Sequence, residues 1–378
     1  MHQQTPQRVS DRVATQLRAL VEERQLQPGE VRQLGGQQGR ARGLRIGERQ
    51  AGGVQQFLHG GVERRFAPVT GATLAEPALR GLVLGLGRVA SAALGHVLPF
   101  VEVADHRPGR ELDGPALLRR TVDGGVWIGQ ARLADPPGTA PGQGHFKQAT
   151  AELFATEAAA LPQRPAPLMR PDDEWAELRY TEHGPEGARV GCLSFDFYNG
   201  AMSTARCERL RAALLQVRER PTQVLLLLGG EGFFSNGIDL NSIEAAAHRP
   251  GDSAADASWR NIHAMNDVAL AVLQTTDRLT VSVLRGNAGA GGAFLALAAD
   301  QVWAHGSVVL NPHYKNMGNL YGSEYWTYLL PRRLGEAGAC DLMAGRLPLR
   351  AADALTMGLI VACDDGPREG LFAFDDSL

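Results

Sequence analysis

The stretch that decides the fold is Val-Ser-Val-Leu-Arg-Gly-Asn-Ala-Gly-Ala-Gly-Gly-Ala-Phe-Leu-Ala-Leu-Ala-Ala-Asp, residues Val281 to Asp300. Its first four residues predict a short buried strand, and the glycines after them predict a tight turn. From Gly291 the small and apolar residues predict a buried helix. Such a turn leaves backbone N–H groups free at the helix N-terminus, where they stabilise negative charge or a developing oxyanion. A lone glycine cluster is more often a sign of close strand–helix packing, so a second observation is needed.

A second stretch has the same character. The apolar run Val224 to Leu228 is followed by Gly-Gly-Glu-Gly-Phe-Phe-Ser-Asn-Gly-Ile-Asp-Leu, residues 229–240. Together the two stretches resemble the crotonase (enoyl-CoA hydratase/isomerase) family, in which a Phe-Ser-x-Gly-x-Asp-Leu segment and a Gly-Gly helix start each supply one N–H to an oxyanion hole. The resemblance implies that the backbone N–H groups of Ile238 and Gly291 hold the thioester oxygen of an acyl-CoA. Losing one such donor typically costs a factor of about 100 to 1,000 in rate.

Length and composition exclude several classes of protein. The chain has 378 residues, enough for about two domains, and its formal net charge of -3 gives no argument for a nucleic-acid partner. The four cysteines lack metal-ligand spacing, so we expect reduced thiols, no metal site and a cytoplasmic protein. The longest apolar stretch, Leu82 to Val101, is interrupted by Arg88, His96 and glycines. It is a poor membrane span, and no membrane partner is expected.

The chain changes character along its length. Residues 1–110 are rich in Arg, Gly and Gln and contain no Lys, Asn or Tyr, so we predict an unassigned, disordered or non-native region there. Residues 111–171 contain an Asp-Gly-Gly hairpin signal and an Ala/Glu-rich helix from Ala149 to Leu161. A proline-rich linker, Pro162 to Pro171, marks the predicted domain boundary. Residues 172–378 form the predicted main domain.

Strands and helices alternate in the main domain. Strands are predicted at 175–180, 190–195, 224–228, 280–284, 301–304 and 308–310, and helices at about 204–218, 259–274 and 291–300. Ser203 is the expected N-cap of the first of these helices. This alternation predicts an α/β fold, in the terms of the crotonase family a ββα spiral domain, preceded by a poorly structured N-terminal region.

Three further segments narrow the resemblance. They are Phe-Asp-Phe-Tyr-Asn-Gly-Ala-Met-Ser (195–203), Gly-Asn-Ala-Gly-Ala-Gly-Gly (286–292) and the polar, aromatic run from 311 to 333. Over about residues 110–360 the chain closely resembles a family of hydrogenase-maturation proteins that joins a formyltransferase-like domain to a crotonase domain. The resemblance implies that residues 111–171 are a remnant of the formyltransferase-like part. We expect that most of this part is missing or replaced, and that the crotonase domain is truncated at its C-terminal end.

The reaction implied by this resemblance is not hydration. Hydratases of the crotonase family use two glutamates as acid and base, and this chain has Phe294 and Tyr314 at those positions. The resemblance implies instead that formyl-CoA loses carbon monoxide, with Tyr314 and Glu324 as candidates for proton transfer. Glu324 is expected near the N-terminus of a helix that starts at about Ser323. As alternatives, Tyr314 is a buried packing ring and Glu324 a plain first-turn carboxylate.

The resemblance also implies coenzyme A as the cofactor. It assigns CoA binding to five residues, namely Phe197, Tyr198, Asn199, Asp239 and Gly292. The first three are equally well explained as a strand end and turn, and Asp239 as the cap of the helix that contains Ile243.

We therefore expect a hydrogenase maturation factor that decarbonylates formyl-CoA to supply carbon monoxide for the [NiFe]-hydrogenase active site. Formyl-CoA and the hydrogenase maturation machinery are the expected partners, and formyl-tetrahydrofolate is expected only if a formyltransferase half is supplied elsewhere. Two alternatives remain open: a catalytically inactive CoA-binding fragment, and an enoyl-CoA hydratase or isomerase, which the missing glutamates disfavour.

Overall fold

The structure, a computed structural model, describes residues 100–105, 116–120, 125–139, 144–161, 163–165, 167–169, 176–314 and 322–364. Most of the unassigned region predicted for residues 1–110 lies outside the described residues. Its last described part, Phe100–Asp105, is a strand.

The first described elements form a four-stranded sheet, a separate two-stranded sheet of β4 and β5, and two short helices. They are β1 (Phe100–Asp105), β2 (Ala116–Arg120), β3 (Gly125–Ile128), β4 (Gln130–Ala131), β5 (Gln148–Ala149), α1 (Thr150–Leu153), α2 (Ala155–Ala159) and β6 (Gln163–Pro165). Strands β2 and β3 pair antiparallel, which confirms the predicted hairpin. The sheet order is β3-β2-β1-β6.

Two predictions for this segment were wrong. The single helix expected from Ala149 to Leu161 is interrupted at Phe154, whose φ of -115° and ψ of 47° are not helical. Within the expected proline-rich linker, Gln163–Pro165 is a strand that pairs parallel with β1. Proline is tolerated there because β6 is an edge strand of the sheet, where one missing N–H costs little.

The main domain contains the remaining elements. They are β7 (Leu178–His183), β8 (Val190–Phe195), β9 (Ala201–Met202), α3 (Thr204–Arg218), β10 (Val224–Gly229), β11 (Phe233–Ser235), β12 (Gly237–Ile238), α4 (Leu240–Ala246), α5 (Ala254–Leu273), β13 (Leu279–Leu284), β14 (Asn287–Gly289), α6 (Gly291–Leu297), β15 (Gln301–His305), β16 (Val309–Asn311), α7 (Trp326–Ala344), β17 (Leu349–Arg350), α8 (Ala351–Thr356) and β18 (Ala362–Asp364).

Two sheets organise this domain among the described residues. The larger has the order β18-β15-β13-β10-β8-β7, and the smaller has the order β11-β14-β16-β17. In the larger sheet only the β7–β8 pair is antiparallel. Strands β10 and β13 are buried over all six residues, as expected for parallel strands covered on both faces.

The chain repeats one pattern as it passes between the sheets. A strand of the larger sheet is followed by a short strand of the smaller sheet and then by a helix, as in β13, β14 and α6. The run from β10 through β11 to α4 and the run from β15 through β16 to α7 repeat this order. These repeats agree with the predicted α/β fold of ββα units.

Helix α5 begins earlier than the sequence indicated. It starts at Ala254 rather than at about Trp259, because Ser253 accepts a hydrogen bond from the N–H of Asp256 and caps it. Ser203 caps α3 in the same way, as predicted.

Candidate active site

The two predicted oxyanion donors lie on turns that touch each other. Ile238 ends β12, and Gly291 is the first residue of α6. Gly237 has a left-handed φ of 78°, and a Cβ added there would lie 3.0 Å from the backbone nitrogen of Gly291. Glycine suits this position because a side chain would strain the backbone and crowd that nitrogen. The residue before Ile238 therefore packs directly against the first N–H of α6.

The start of α6 has an unusual backbone. Its N-cap, Ala290, has φ 49° and ψ -127°, and its N–H donates to the carbonyl oxygen of Asn311 at 2.8 Å. This bond fixes the helix start against the end of β16. The first N–H groups of an α-helix have no acceptor within the helix, so Gly291 presents a donor at this turn. Positive φ at a residue other than glycine is a strained conformation that clusters at functional sites.

Gly292 has a packing role. A Cβ at this position would overlap the backbone oxygen of Ser235, so α6 and β11 approach each other at the distance of bare backbones. This contact explains the glycine without a ligand. The assignment of Gly292 to CoA binding stays a prediction.

Tyr314 and Glu324 meet at the start of α6. The Tyr314 hydroxyl donates a hydrogen bond to Oε2 of Glu324 at 2.8 Å. A Cβ placed on Gly291 would overlap the Glu324 carboxylate and would lie 3.1 Å from the Tyr314 hydroxyl oxygen. Glu324 is only 2% exposed. The structure thus brings Tyr314, Glu324 and Gly291 into contact. Gly237, the residue before Ile238, packs against the backbone nitrogen of the same Gly291.

Burial controls the ionisation of this pair. It raises the pKa of Glu324 above the ordinary carboxyl value, and hydrogen bonds from Tyr314 and from the N–H of Ser323 partly offset the rise. The pKa of Tyr314 is raised by burial and by the neighbouring Glu324 carboxylate. Tyr314 therefore remains a protonated hydrogen-bond donor at neutral pH, and Glu324 is the member of the pair suited to exchange a proton.

The backbone at Glu324 differs from the prediction. Helix α7 begins at Trp326, so Glu324 is not in a helical first turn, and both Glu324 and Tyr325 have positive φ, 34° and 58°. The N–H of Glu324 donates to Oδ1 of Asn266 on α5 at 2.8 Å. The expected helix start was wrong because this turn is held by a side chain of another helix. Positive φ at such residues costs of order 1–3 kcal/mol each.

Phe294 supports the Tyr314 ring. The two rings are parallel to within 4°, with centroids 6.3 Å apart. A Cβ on Gly322 would overlap the Tyr314 ring and would lie 3.0 Å from the Phe294 ring. Phe294 is fully buried and carries no proton, although the crotonase resemblance places a glutamate at this position.

The three adjacent residues predicted to bind CoA have different surroundings. Phe197 is 4% exposed, and its ring packs in the core with the guanidinium of Arg206 5.4 Å from its centroid. Tyr198 and Asn199 are exposed, and the Tyr198 hydroxyl accepts a hydrogen bond from Lys147. Tyr198 and Asn199 are therefore accessible to a ligand, whereas the Phe197 ring is part of the hydrophobic core.

Asp239 caps α4, as the structural alternative predicted. Its Oδ1 accepts hydrogen bonds from the N–H groups of Asn241 at 3.0 Å and Ser242 at 3.3 Å. Its other oxygen lies 3.8 Å from Nη1 of Arg206. The Asp239 backbone N–H donates to Oδ1 of Asn261 at 3.1 Å. Its predicted role in CoA binding is untested by these contacts.

A buried ion network beside the site was missed by the sequence interpretation. Glu177 accepts hydrogen bonds from Nη2 of Arg206 at 2.9 Å and from Nη2 of Arg209 at 2.6 Å. All three residues are at most 5% exposed. The available signal was the position of both arginines on the same face of α3 as Leu210 and Val217, where apolar residues are usual.

Other kinds of site have no counterpart in the part of the chain that the structure describes. No group of three or more His, Cys, Asp or Glu residues there is placed to bind a metal ion. No described helix has the length and apolar character of a membrane span.

Comparison with known proteins places this geometry in a family. Residues 197–367, which carry the elements of the site, match the family described as enoyl-CoA hydratase/isomerase. These residues form a domain of the enoyl-CoA hydratase/isomerase family. A probable enoyl-CoA hydratase of Mycobacterium bovis is 30% identical over 152 residues, which cover 40% of this chain and 53% of that protein.

Two relatives resemble a longer part of the chain. The hydrogenase maturation factor HoxX of Bradyrhizobium diazoefficiens is 54% identical over 245 residues, which cover 65% of this chain and 39% of HoxX. The crystal structure of HypX from Aquifex aeolicus in complex with tetrahydrofolic acid is 39% identical with a TM-score of 0.62, covering 73% of this chain and 44% of HypX. The chain is thus a homologue of HoxX and HypX, and the match spans less than half of either relative.

Proposed function

We propose that this homologue of HoxX is a hydrogenase maturation factor that converts formyl-CoA into carbon monoxide and CoA. The observation that carries the proposal is the contact of the Tyr314–Glu324 pair with Gly291. This contact places one proton-exchanging carboxyl group beside the N-terminus of α6, where negative charge is stabilised. The 54% identity to HoxX supports the part that concerns hydrogenase maturation.

The backbone N–H groups of Ile238 and Gly291 are assigned to the formyl oxygen. As the formyl C–H bond breaks, its electron pair stays on carbon, and the two hydrogen bonds assist this step by polarising the carbonyl group. Donors fixed in advance by the turns around Gly237 and Ala290 need no rearrangement at that moment. Each donor of this kind is typically worth about 2.7–4 kcal/mol in the transition state.

Glu324 is assigned to the proton transfer. Its carboxylate accepts the formyl proton, the C–H electron pair stays on carbon, and the C–S bond breaks with its electrons on sulfur. The proton then passes from Glu324 to the thiolate. The products are carbon monoxide and the CoA thiol, so atoms and electrons balance without an oxidant. Tyr314 orients the carboxylate through its 2.8 Å hydrogen bond and stays protonated.

The exposed residues Tyr198 and Asn199 are assigned to the CoA tail. They lie on the turn between β8 and β9, and β9 pairs with the strand that ends in Ile238. A CoA tail bound along this turn would therefore extend towards the backbone N–H of Ile238, the first oxyanion donor. The formyl group is assigned to a formyl-tetrahydrofolate-dependent activity supplied elsewhere, in keeping with the tetrahydrofolic acid bound to HypX.

Release of carbon monoxide from formyl-CoA tests this function. Purified protein is mixed with formyl-CoA, and the gas is detected by the spectral change of reduced myoglobin. We expect carbon monoxide from the wild type and a loss of at least 100-fold in Glu324→Gln, since one positioned proton carrier contributes about 10² to 10⁴. Binding of CoA without carbon monoxide would indicate an inactive CoA-binding domain. Hydration of crotonyl-CoA would indicate a hydratase.

A further inference from the structure

Helix α5 carries two asparagines that bond to the backbone on both sides of the site. Asn261 is the single polar residue among the eight buried residues of this helix. It is 1% exposed, and an amide buried to this degree is costly unless it is hydrogen-bonded. The oxygen and the nitrogen of the Asn261 amide both have hydrogen-bond partners outside α5. These contacts explain why a polar residue stands on the buried face of the helix.

The contacts of Asn261 hold the strand of the first oxyanion donor. Its Oδ1 accepts from the N–H of Asp239 at 3.1 Å, and its Nδ2 donates to the carbonyl oxygen of Met202 at 2.8 Å. Met202 and Ile238 are paired residues of the parallel strands β9 and β12. One side chain therefore fixes the peptide that follows Ile238 and the strand beside it.

Asn266 holds the other half of the site. Its Oδ1 accepts from the N–H of Glu324 at 2.8 Å, at the residue where φ is 34°. The two asparagines are five positions apart in the sequence, which corresponds to about 7.5 Å along a rigid helix. The distance between these two anchor points is therefore set by α5 and not by the loops that carry Ile238 and Glu324.

We propose that Asn261 and Asn266 are positioning residues, through which α5 sets the oxyanion donor Ile238 and the carboxylate of Glu324 at a fixed separation. The catalytic part of this proposal rests on the function proposed above. The two asparagines touch no reacting atom, and their effect is exerted through Asp239 and Glu324. A misplacement of about 1 Å in such a site can lower a rate by about 100-fold.

Asn266→Ala is the first test. We expect kcat for carbon monoxide release to fall roughly 10- to 100-fold while KM for formyl-CoA changes little, because the carboxylate moves and the CoA tail does not. Asn266→Asp keeps an acceptor for the Glu324 N–H and should recover most of the rate at high pH. Asp267→Ala, an exposed neighbour on the same helix, is the matched control and should behave as the wild type.

A second readout does not need activity. The Glu324 carboxyl is titrated by ¹³C NMR, with Glu324→Gln to assign its signal. In Asn266→Ala we expect the pKa of Glu324 to move towards the ordinary carboxyl value, since the released turn admits water. In Asn266→Asp the added negative charge should move this pKa further upward.

Asn261→Ala separates the two halves of the proposal. It should lower kcat and leave the titration of Glu324 unchanged, because the hydrogen bonds of Asn261 go to Asp239, Met202 and the sulfur of Cys207 and not to the turn that carries Glu324. An unchanged pKa of Glu324 in Asn266→Ala overturns the proposal, as does a kcat of folded Asn261→Ala equal to that of the wild type. If Asn261→Ala does not fold, the Asn266 variants decide. If the wild type releases no carbon monoxide, the proposed function fails, and the titration still decides whether Asn266 positions Glu324.

Discussion

The hydroxyl of Tyr314 donates a 2.8 Å hydrogen bond to Oε2 of Glu324, and both groups crowd the position that a Cβ of residue 291 would take, which explains the glycine there. The two partners are ten positions apart in the sequence, and the backbone of Glu324 has a positive φ of 34° where they meet. A buried carboxyl group is therefore held at the N-terminus of a helix by a tyrosine that stays protonated.

Replacing Glu324 by Gln should abolish proton transfer and preserve the shape of the site. The amide oxygen of the introduced glutamine would still accept the Tyr314 hydrogen bond. We expect kcat to fall at least 100-fold, because one general base contributes about 10² to 10⁴, while the Kd for CoA measured by calorimetry stays the same. Turnover equal to that of the wild type would remove Glu324 from the mechanism.

Replacing Tyr314 by Phe should change the pH dependence of turnover. The Tyr314 hydrogen bond lowers the pKa of Glu324, so its loss raises that pKa further. The carboxylate is then populated only at higher pH, and the acidic limb of the kcat profile should move to higher pH. Tyr328→Phe, at an exposed tyrosine, is the control and should leave the profile in place. An acidic limb that moves to lower pH in Tyr314→Phe would contradict this reasoning.

Adding a methyl group at Gly291 should displace the carboxylate. The Cβ of Gly291→Ala would overlap Glu324, so either the carboxylate or α6 must shift. We expect a roughly 100-fold loss of kcat, measured with saturating formyl-CoA. Gly232→Ala is a matched control, because a Cβ there meets no atom within 4 Å. Equal turnover of Gly291→Ala and Gly232→Ala would show that the contact is not needed.

The ionisation of Glu324 should make the thermal stability of the protein depend on pH. Its pKa in the folded state is raised above the ordinary value of 4.5. The protonated form therefore favours folding, and this contribution is complete below pH 4.5 and is lost as the pH rises through the folded-state pKa. The Glu324→Gln variant has no ionisable group at this position and does not lose stability in this way. Its Tm relative to the wild type should therefore rise as the pH increases through that window, as differential scanning calorimetry would show. A constant difference would contradict the raised pKa.

The buried ion network should matter for folding. Replacing Glu177 by Gln leaves the guanidinium groups of Arg206 and Arg209 buried without their carboxylate. We expect a loss of about 3–5 kcal/mol in the free energy of unfolding, measured by urea denaturation. Arg350→Gln breaks an exposed pair with Asp353 and should leave stability nearly unchanged. A Glu177→Gln variant as stable as the wild type would show that the network contributes little.

The sequence predicted the parts of this structure that depend on local pattern. The apolar runs of β10 and β13, the cap at Ser203 and the glycine-rich turn before α6 all follow from residue type and spacing. The resemblance to the crotonase family supplied Tyr314 as a candidate site residue. Its contact with Glu324 could not be derived from either source, because it depends on how two distant turns meet.

The parts that the sequence did not predict depend on long-range contacts. The left-handed turn at Glu324 was taken for a helix start, since nothing local shows that Asn266 supplies its acceptor. The burial of Arg206 and Arg209 was missed because arginine is ordinarily placed at the surface. An asparagine in the apolar face of α5 was the one local sign that this helix does more than pack.

The most direct test of the central claim is a single-turnover reaction with formyl-CoA labelled with ¹³C at the formyl carbon. We expect one ¹³CO for each CoA thiol released, with no labelled formate, and loss of both products in Glu324→Gln. Labelled formate in place of ¹³CO, or ¹³CO released at the same rate by Glu324→Gln, would contradict it.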